Sequence, residues 1–300
     1  MKSSISCIAW NVQSIRNKCA EVFEHIIDYE ADIVFLSETW MEAEKNDVTA
    51  YMKQRGYKFL HNRRVNREKE VGGGVGVMVK SSIHSKQLSC KPFSSFEHTM
   101  VRIKLTNNTT LLLVTIYRLL FISTNIFLKD FSDFLEMLSV MNENWLISGD
   151  INFHLETDET TVKTLKDIFT TFNLVQYVNL PTHELGHTLD LVLAQDDTLN
   201  IYNVESNNVH LSDHYMITFN VEAEVVQYEF RTVTYRNFRS VEVGELFMAD
   251  VRDKLAEMKE SLTNLTMGEN IQQYNCSMQQ LVDRYYPLKS KQIKVMPHAP

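Results

Sequence analysis

Several carboxylate, amide and histidine side chains in this sequence directly follow short runs of aliphatic residues. They occur in six segments: Trp10-Asn11, Ser37-Glu38, Ile116-Tyr117-Arg118, Gly149-Asp150-Ile151-Asn152, Thr188-Leu189-Asp190 and Ser212-Asp213-His214. The end of a buried strand holds its side chain rigidly at the rim of a sheet, so we expect these groups to meet in one site. Carboxylates bind hard cations such as Mg²⁺, and a histidine paired with a carboxylate can donate to an anion. The combination suits phosphodiester hydrolysis.

Two of these segments have a second interpretation. Asp150 and Asn152 share a face if the backbone is extended, but Gly-Asp-Ile-Asn is also typical of a turn. Ser37-Glu38-Thr39 can present a metal-binding carboxylate, or it can cap the segment that follows. The sequence leaves both alternatives open.

A competing metal motif lies downstream, because His183-Glu184-Leu185-Gly186-His187 matches the H-E-x-x-H pattern of zinc proteases. That chemistry requires both histidines on one stable helix. Pro181 precedes the motif, Gly186 interrupts it, and a strand-like run follows within a few residues. Leu193 occupies the position of the third histidine in the longer form of the motif. We therefore predict a loop here and disfavour zinc-protease chemistry.

The composition is that of an ordinary globular protein, with 300 residues, 44% of them hydrophobic and 23% charged. The cysteines Cys7, Cys19, Cys90 and Cys276 are far apart, which disfavours a structural zinc site or a disulfide framework and favours a reducing, intracellular compartment. Met1 leads directly into a strand-like segment, so we expect no signal peptide. No apolar run approaches the roughly 20 residues of a membrane span, so we expect no membrane association.

The net charge of −8 counts mildly against a general nucleic-acid-binding protein. It counts less against a metal nuclease, whose carboxylates hold a cation. The basic run from Arg63 to Lys69 can contact a DNA backbone or, because acidic residues interrupt it, form a solvated loop. Gly72–Gly74 lacks the helix and the Lys-Ser pair of a nucleotide-binding loop, and we expect no small-molecule cofactor.

Short aliphatic segments alternate with amphipathic segments and turn signals over residues 5–221. Asn107-Asn108 separates two strand-like segments and predicts a hairpin. Helical periodicity is present at residues 14–30, 124–141 and 161–172. The mixture of hairpins with strand-helix units predicts an α/β fold, a two-layer β-sandwich flanked by helices, rather than a doubly wound sheet.

The pattern changes after about residue 222. Residues 241–260 and 269–286 have helical periodicity, and the tail from Lys289 is basic. Acidic residues outnumber basic residues by 28 to 20 before position 223, whereas each class numbers ten after it. We therefore predict one domain over residues 1–222 and a short helical C-terminal extension over residues 223–300.

In their order and spacing, several segments resemble the DNase I, exonuclease III and phosphatase superfamily. They are IAWNVQSIRNK, DIVFLSETW, GGGVGVMVK, TIYR, GDINFH, PTHELGHTLDLVLA and LSDHYMI. The resemblance spans roughly residues 5–221 and is greatest to the apurinic/apyrimidinic-type endonuclease domain of non-LTR retrotransposons. It implies a DNase I-like sandwich that uses Mg²⁺, with Mn²⁺ as the alternative, to nick one strand of DNA. It further implies a 3′-hydroxyl product for target-primed retrotransposition, a nuclear location, and a reverse transcriptase module in a longer element, to which residues 223–300 would lead.

The resemblance also assigns roles to the polar residues. It makes Glu38, Asn11 and Asp213 metal ligands. Asp150 activates the attacking water, Asn152 holds phosphate or water, and His214, partnered by Asp190, contacts the phosphate. Tyr117 and Asp213 complete the catalytic set, although Tyr117 can also be plain core and His214 with Asp190 a structural pair. The residues expected at the DNA are Arg118, Thr188, Ser212 and His187.

One segment departs from the family pattern. The tyrosine-arginine pair usually leads into a proline-rich loop, whereas Tyr117-Arg118 continues here into the apolar run Leu119-Leu120-Phe121. This difference keeps open an inactive or repurposed scaffold. A phosphoesterase of the same superfamily that acts on a substrate other than DNA is the remaining alternative, because substrate-selecting loops transfer poorly between members of one fold.

Overall fold

The computed structural model describes residues 4–41, 47–62, 72–239, 241–261 and 265–295. The chain forms two compact units, Met1–Gln227 and Tyr228–Pro300. The predicted domain division at residue 222 concerns independent folding and stays a prediction. The basic run from Arg63 to Lys69 lies outside the described residues. Within the described ranges, each helix is too short or too polar to cross a membrane.

Unit 1 contains two six-stranded sheets. Its strands are β1 Ile5–Asn11, β2 Ile33–Ser37, β3 Tyr57–Asn62, β4 Val75–Lys80, β5 Ser85–Leu88, β6 Phe96–Lys104, β7 Thr110–Arg118, β8 Asn144–Asp150, β9 Leu174–Gln176, β10 Asp190–Gln195, β11 Ile201–Asn207 and β12 Met216–Val221. The first sheet has the order β11-β12-β1-β2-β4-β3, and the second has the order β5-β6-β7-β8-β10-β9. Its helices are α1 Cys19–Asp28, α2 Asp47–Gln54, α3 Thr124–Ser139 and α4 Thr160–Thr171.

Alternating side chains along each strand build a layered core. In β7, Leu111 and Leu113 belong to the cluster between the two sheets, whereas Leu112 and Val114 pack with α3 and α4 on the outer face. In the first sheet, the outward residues of β1 and β2 pack against α1. Both sheets are therefore covered on their outer faces, as a two-layer sandwich flanked by helices requires.

Parallel strand pairs bring two polar strand ends together in each sheet. β1 and β2 are parallel, with Asn11 opposite Ser37. β7 and β8 are also parallel, with Tyr117 opposite Asp150, and antiparallel β10 places Asp190 opposite Asp150. Because strands that run in the same direction end at the same edge, these pairings gather the polar residues at one rim of each sheet.

Unit 2 contains two helices and a two-stranded ribbon. The helices are α5 Val241–Ser261 and α6 Met267–Tyr285, and the ribbon pairs β13 Glu229–Tyr235 with β14 Lys289–Val295. Thr266 caps α6, because its hydroxyl accepts from the Glu269 N–H while the Glu269 carboxylate accepts from the Thr266 N–H.

The α/β sandwich flanked by helices and the hairpin at Asn107-Asn108 are confirmed. Both C-terminal helices are present, but the basic tail from Lys289 forms a strand. The first helix begins at Cys19, later than the predicted range of 14–30. Ser14 has a φ of 81° and Gln13 one of 43°, so the chain turns before it enters the helix.

Candidate active site

The side chain of Asn11 connects the carboxyl-terminal edges of the two sheets. Its Nδ2 donates to Glu38 Oε1 at 2.9 Å and to Asp150 Oδ2 at 2.8 Å. Glu38 follows β2 in the first sheet, whereas Asp150 ends β8 in the second. Asn11 is fully buried, so these hydrogen bonds are shielded from water and fix the two carboxylates relative to each other.

Glu38 lies at a sharp bend after β2. Its φ is 51°, a left-handed conformation that is uncommon for a residue other than glycine. The glycine loop before β4 holds this bend, because the N–H groups of Thr39 and Trp40 donate to the carbonyls of Gly74 and Gly73. The indole of Trp40 donates to Glu38 Oε2 at 3.1 Å. The bend aims the carboxylate toward Asn11 instead of extending the strand, and this strained conformation is typical of a functional position.

Asp150 and Asn152 form a turn rather than an extended segment. Asn152 has a φ of 50°, and its N–H donates to Asp150 Oδ1 at 2.8 Å. Of the two alternatives that the sequence left open, the segment adopts the turn, because the Asp150 side chain competes successfully for the Asn152 N–H. The turn nevertheless brings them together, since Asn152 Nδ2 donates to Asp150 Oδ2 at 3.1 Å.

His214 is held between two carboxylates. Its Nδ1 donates to Asp190 Oδ2 at 2.8 Å, and its Nε2 lies 3.7 Å from Asp150 Oδ2. Burial disfavours the imidazolium, but the Asp190 carboxylate outweighs this cost and raises the pKa of His214 to about 10. Burial, with the nearby Asp190 carboxylate, raises the pKa of Asp150 to about 7. The site therefore holds a cationic donor beside a carboxyl group that can exchange protons near neutral pH.

Asp213 lies beside this pair in the loop before β12. Its Oδ2 accepts from Gln13 Nε2 at 3.0 Å and lies 3.6 Å from His183 Nε2. Its Oδ1 is buried and has no hydrogen-bond partner among the described residues. A buried carboxylate oxygen without a donor is costly unless a cation or water meets it.

The oxygen donors of this rim fit a hard divalent cation. Glu38 supplies a half-buried carboxylate fixed by two donors, and Asp213 supplies the unpartnered oxygen. Carboxylate oxygens are the ligands that Mg²⁺ takes from proteins, usually one or two alongside water. Asn11 turns its amide nitrogen toward Glu38, while its Oδ1 accepts from the Gln13 N–H, so here it orients a carboxylate. Metal ligation by Asn11 stays a prediction.

Thr182, which the sequence patterns did not single out, positions Asp190. Its buried hydroxyl accepts from the N–H groups of Leu189 and Asp190 at 2.9 and 3.1 Å. Thr182 lies eight residues before Asp190 and reaches it only because the intervening loop folds back. The hydroxyl of Thr188, which was expected at the DNA, donates to the carbonyl of Leu180, and its DNA contact stays a prediction.

Arg118 and Ser212 are engaged within the protein. Arg118 is 8% exposed, donates to the Asn152 carbonyl and to Thr124 Oγ1, and stacks 4.5 Å from the Phe153 ring centroid. Ser212 donates to the carbonyls of Asn11 and His214. Arg118 thus holds the loop that carries Asn152, and its expected phosphate contact stays a prediction. For Ser212, the DNA contact stays a prediction.

Tyr117 and His187 are the last two of the residues that the sequence predicted for the site. Tyr117, at the end of β7, is 7% exposed and packs with Val75 and Leu119. His187 points to the opposite side of its loop, where Nδ1 lies 2.8 Å from Glu156 Oε1. The roles predicted for both at the phosphate and the DNA stay predictions.

The H-E-x-x-H motif is not helical. The N–H of His183 donates to the carbonyl of His187, closing a tight loop between these residues. His183 faces Asp213 and stacks edge-on against His214, whereas His187 contacts Glu156. The two histidines therefore belong to different clusters, and the sequence-based rejection of the zinc-protease arrangement agrees with the loop geometry.

Residues 8–214 match the Endonuclease/Exonuclease/phosphatase family. No curated protein sequence is significantly similar to the chain. Solved structures that share the fold include the catalytic domain of human Nocturnin with bound sulfate, which is 13% identical, with 74% of this chain and 96% of that chain covered and a TM-score of 0.59. The endonuclease domain of TRAS1, a telomere-specific non-LTR retrotransposon, is 15% identical, with 73% of this chain and 98% of that chain covered and a TM-score of 0.58. D. rerio TDP2 with a single-strand DNA product is 14% identical, with 73% of this chain and 99% of that chain covered and a TM-score of 0.56.

Proposed function

Because this chain belongs to the Endonuclease/Exonuclease/phosphatase family, we propose that it is a Mg²⁺-dependent DNA endonuclease. The family is hydrolytic, and its members include nucleases and phosphatases. In the proposed reaction, water attacks a phosphodiester and one DNA strand is nicked to leave a 3′-hydroxyl. DNA as the substrate draws support from the fold shared with the TRAS1 endonuclease domain.

The observation that carries the proposal is the continuous polar network across the rim of the two sheets. Glu38, Asn11 and Asp150 are joined by hydrogen bonds of 2.9 and 2.8 Å, and His214 connects Asp150 to Asp190. Burying two carboxylates beside a histidine costs desolvation free energy, and such arrangements cluster at functional sites. Metal-assisted phosphodiester hydrolysis can use carboxylates, an amide and an imidazole, the three types of group in this network.

Asp150 acts on the attacking water. Its carboxyl group is held by the Asn152 N–H and the Asn11 amide, so its orientation is fixed before substrate binds. With its pKa raised to about 7 by burial and by Asp190, Asp150 accepts a proton from water more readily than an exposed aspartate. Asn152, folded back onto Asp150, offers its amide to water or to the phosphate.

His214 binds the phosphate. Asp190 accepts from Nδ1 and keeps the ring oriented, which leaves Nε2 directed toward Asp150 and the position of the scissile group. A charged imidazolium donates a charge-assisted hydrogen bond to a phosphate oxygen, and this bond strengthens as negative charge grows in the transition state. Thr182, through the backbone of Asp190, keeps this pair in register.

Glu38 and Asp213 are the residues that would hold Mg²⁺. When bound, the ion supplies Lewis-acid polarisation of the phosphate and neutralises charge on the leaving oxygen. Asn11 and Trp40 fix the Glu38 carboxylate, and Gln13 fixes one oxygen of Asp213. The residues around the site therefore orient both oxygen ligands.

The test is nicking of supercoiled plasmid by the purified chain with Mg²⁺, with and without EDTA. We expect metal-dependent conversion to open circles. Asp150→Asn, which keeps side-chain size, and His214→Asn, which removes the imidazolium, should each lower the rate by about 10²- to 10⁴-fold. The matched control is Asp133→Asn, which removes an exposed carboxylate of α3 and should leave the rate unchanged.

Product analysis tests the finer parts of the proposal. The nicked strand should prime a DNA polymerase directly, because a 3′-hydroxyl is extendable and a 3′-phosphate is not. Extension of this kind is the step that a reverse transcriptase module in a longer nuclear element would use. If the well-folded protein does not nick DNA but hydrolyses another phosphoester, that phosphoester and not DNA is the substrate. Inactivity on every phosphoester would favour an inactive or repurposed scaffold.

A further inference from the structure

Two histidines and a glutamate meet on the loops beside the candidate active site. His154 and Glu156 lie in the loop after β8, and His187 lies in the loop before β10. One ligand atom from each lies within 4.8 Å of the other two. None of the three takes part in the network around Asp150, so the proposed nuclease chemistry does not explain their grouping.

Their spacing is close to that of ligands around one metal ion. His187 Nδ1 lies 2.8 Å from Glu156 Oε1, and His154 Nδ1 lies 3.9 Å from the same oxygen. Nitrogen and oxygen ligands about 2.0–2.1 Å from a tetrahedral Zn²⁺ are about 3.3 Å apart. The two distances bracket this value.

The backbone under these ligands is fixed. The N–H of Leu155 donates to the carbonyl of Thr188, and the N–H of Thr182 donates to the carbonyl of His187. Glu156 Oε2 accepts from the Thr188 N–H at 3.1 Å, which orients the carboxylate and leaves Oε1 facing the histidines. A ligand carboxylate held by its second oxygen is typical of metal sites.

The two imidazole rings lie together at the surface. Their centroids are 3.9 Å apart with an interplanar angle of 32°, and His154 and His187 are 45% and 34% exposed. Solvent access on this side provides an entry path for an ion. Two imidazole nitrogens and one carboxylate oxygen favour Zn²⁺ and similar transition metals over Mg²⁺, which prefers all-oxygen sites.

We propose that His154, Glu156 and His187 form a second metal site, which binds Zn²⁺ or a chemically similar divalent cation. Three protein ligands leave a fourth position for water. The bound ion joins the loop that carries Asn152 to the loop that leads into Asp190. It therefore stabilises both loops at the candidate active site, independently of the Mg²⁺ site and of whether the chain is a nuclease.

The test is calorimetric titration of the full chain with Zn²⁺ in excess Mg²⁺ and a reductant that does not chelate metal. We expect wild-type protein to bind at least one more equivalent of Zn²⁺ than the His154→Asn/His187→Asn double variant. Glu156→Gln keeps an acceptor for the Thr188 N–H but loses the charge, and it should weaken binding at this site at least about 100-fold, because even outer-shell changes cost 10- to 100-fold.

The matched control is His210→Asn, which removes an exposed histidine outside the cluster. Its φ is 56°, a conformation that asparagine tolerates, so the fold should be unaffected. This variant should bind Zn²⁺ as wild type does. A Co²⁺ visible spectrum, which reports the ligands directly, should change in the double variant and not in the control. Equal Zn²⁺ stoichiometry and affinity in wild type, Glu156→Gln and the double variant would overturn the proposal, as would an equal loss in His210→Asn.

Discussion

The buried hydroxyl of Thr182 bears on both stability and the candidate site, because it accepts from two backbone N–H groups, one of them that of Asp190. Thr182→Val preserves shape but leaves both donors buried without this acceptor, and an unsatisfied buried donor costs about 1–3 kcal/mol. We expect a lower midpoint of thermal unfolding and a lower kcat, with little change in KM, because Asp190 no longer holds His214 in register.

Thr182→Ser is the matched variant, since it retains the hydroxyl. It should recover most of the kcat and most of the stability. Steady-state nicking kinetics and thermal unfolding of the three proteins measure both effects. If Thr182→Val is destabilised but keeps full kcat, Thr182 supports the loop without positioning Asp190 for catalysis.

His98, which takes no part in the polar network around Asp150, makes stability depend on pH. The ring packs against Phe93, Phe96 and Phe134 and is 8% exposed, and burial lowers its pKa to about 4. Well above pH 6.5 the side chain is neutral in both the folded and unfolded states. As the pH falls from about 6.5 to about 4, the unfolded state takes up a proton first, and the free energy of unfolding drops by up to about 3 kcal/mol.

His98→Phe should remove this contribution, because phenylalanine fills a similar space and does not titrate. Urea denaturation at several pH values between 7 and 4 measures the effect. The difference in stability between variant and wild type should grow steadily toward acid pH. A constant difference over this range would contradict the assignment, and His210→Asn serves as the exposed-histidine control.

How far single residues could be predicted depended on whether their partners were near in sequence. The buried aliphatic runs of β2 and β8 predicted the positions of Glu38 and Asp150, which lie at or just after the ends of these strands. Asp190 and His214 instead lie at or before the starts of β10 and β12, so the aliphatic runs that mark them follow these residues. Thr182 and Gln13 were missed, because their contacts with Asp190 and Asp213 depend on loops that fold back. The burial of Arg118 beside Phe127 and Phe153 was also not predictable, because it follows from the packing of α3 and the loop after β8.

At the scale of secondary structure elements, Gly149 permits strand β8 to lie next to β7 and carry Asp150. Its φ is 144°, and a Cβ atom there would lie 2.0 Å from the carbonyl oxygen of Ile116. Backbone cannot yield at this contact without breaking the parallel pairing of the two strands. We therefore expect Gly149→Ala to destabilise the protein by more than about 3 kcal/mol, beyond the usual range for single substitutions, and to abolish activity.

Gly268→Ala provides the control, because no atom lies within 4 Å of the added Cβ and the residue is in helix α6. It should be neutral or slightly stabilising, since alanine has the higher helix propensity. Circular dichroism with urea denaturation distinguishes the two variants. Wild-type stability in Gly149→Ala would mean that β7 and β8 can separate at this point without cost.

Elements with strong periodicity were predictable, and short or exposed elements were not. β1, β7 and β8 stand out as nearly continuous apolar runs because both of their faces are buried, and α3 stands out by the helical spacing of its buried residues. The sequence of β14 predicted only a basic tail. Every residue of Lys289–Lys294 is exposed, so this segment lacks the alternation of apolar and polar residues that marks a half-buried strand. Its pairing with β13 brings together segments more than 50 residues apart, and no local pattern encodes such a contact.

At the scale of the whole molecule, charge is distributed unevenly between the strand ribbon and the rest of the chain. The net charge is −8, yet β13 and β14 together carry one acidic residue, Glu229, and four basic residues, Arg231, Lys289, Lys291 and Lys294. Aromatic rings lie under two of the lysines, with Lys291 5.1 Å from the Tyr235 centroid and Lys294 5.4 Å from that of Tyr228. Cations spaced along an exposed ribbon suit phosphate backbones without requiring a particular base sequence.

If DNA is the substrate, this ribbon should add affinity that depends on salt and not on sequence. Changing Lys289, Lys291 and Lys294 to Gln in the full chain should weaken binding to duplex DNA at low salt. It should also reduce the slope of log affinity against log salt concentration by up to about 3, since each lost phosphate contact removes about 0.9. The catalytic rate at saturating DNA should stay unchanged, because the network around Asp150 lies in unit 1.

The informative control neutralises three lysines elsewhere, with Lys53, Lys129 and Lys163 in helices α2, α3 and α4 each changed to Gln. Both triple variants change the net charge equally, so a general electrostatic effect would weaken binding to the same degree in each. A larger loss and a larger drop in salt slope for the ribbon variant would assign the affinity to local phosphate contacts. Equal losses would mean that overall charge alone sets DNA affinity and that the ribbon has no special part in it.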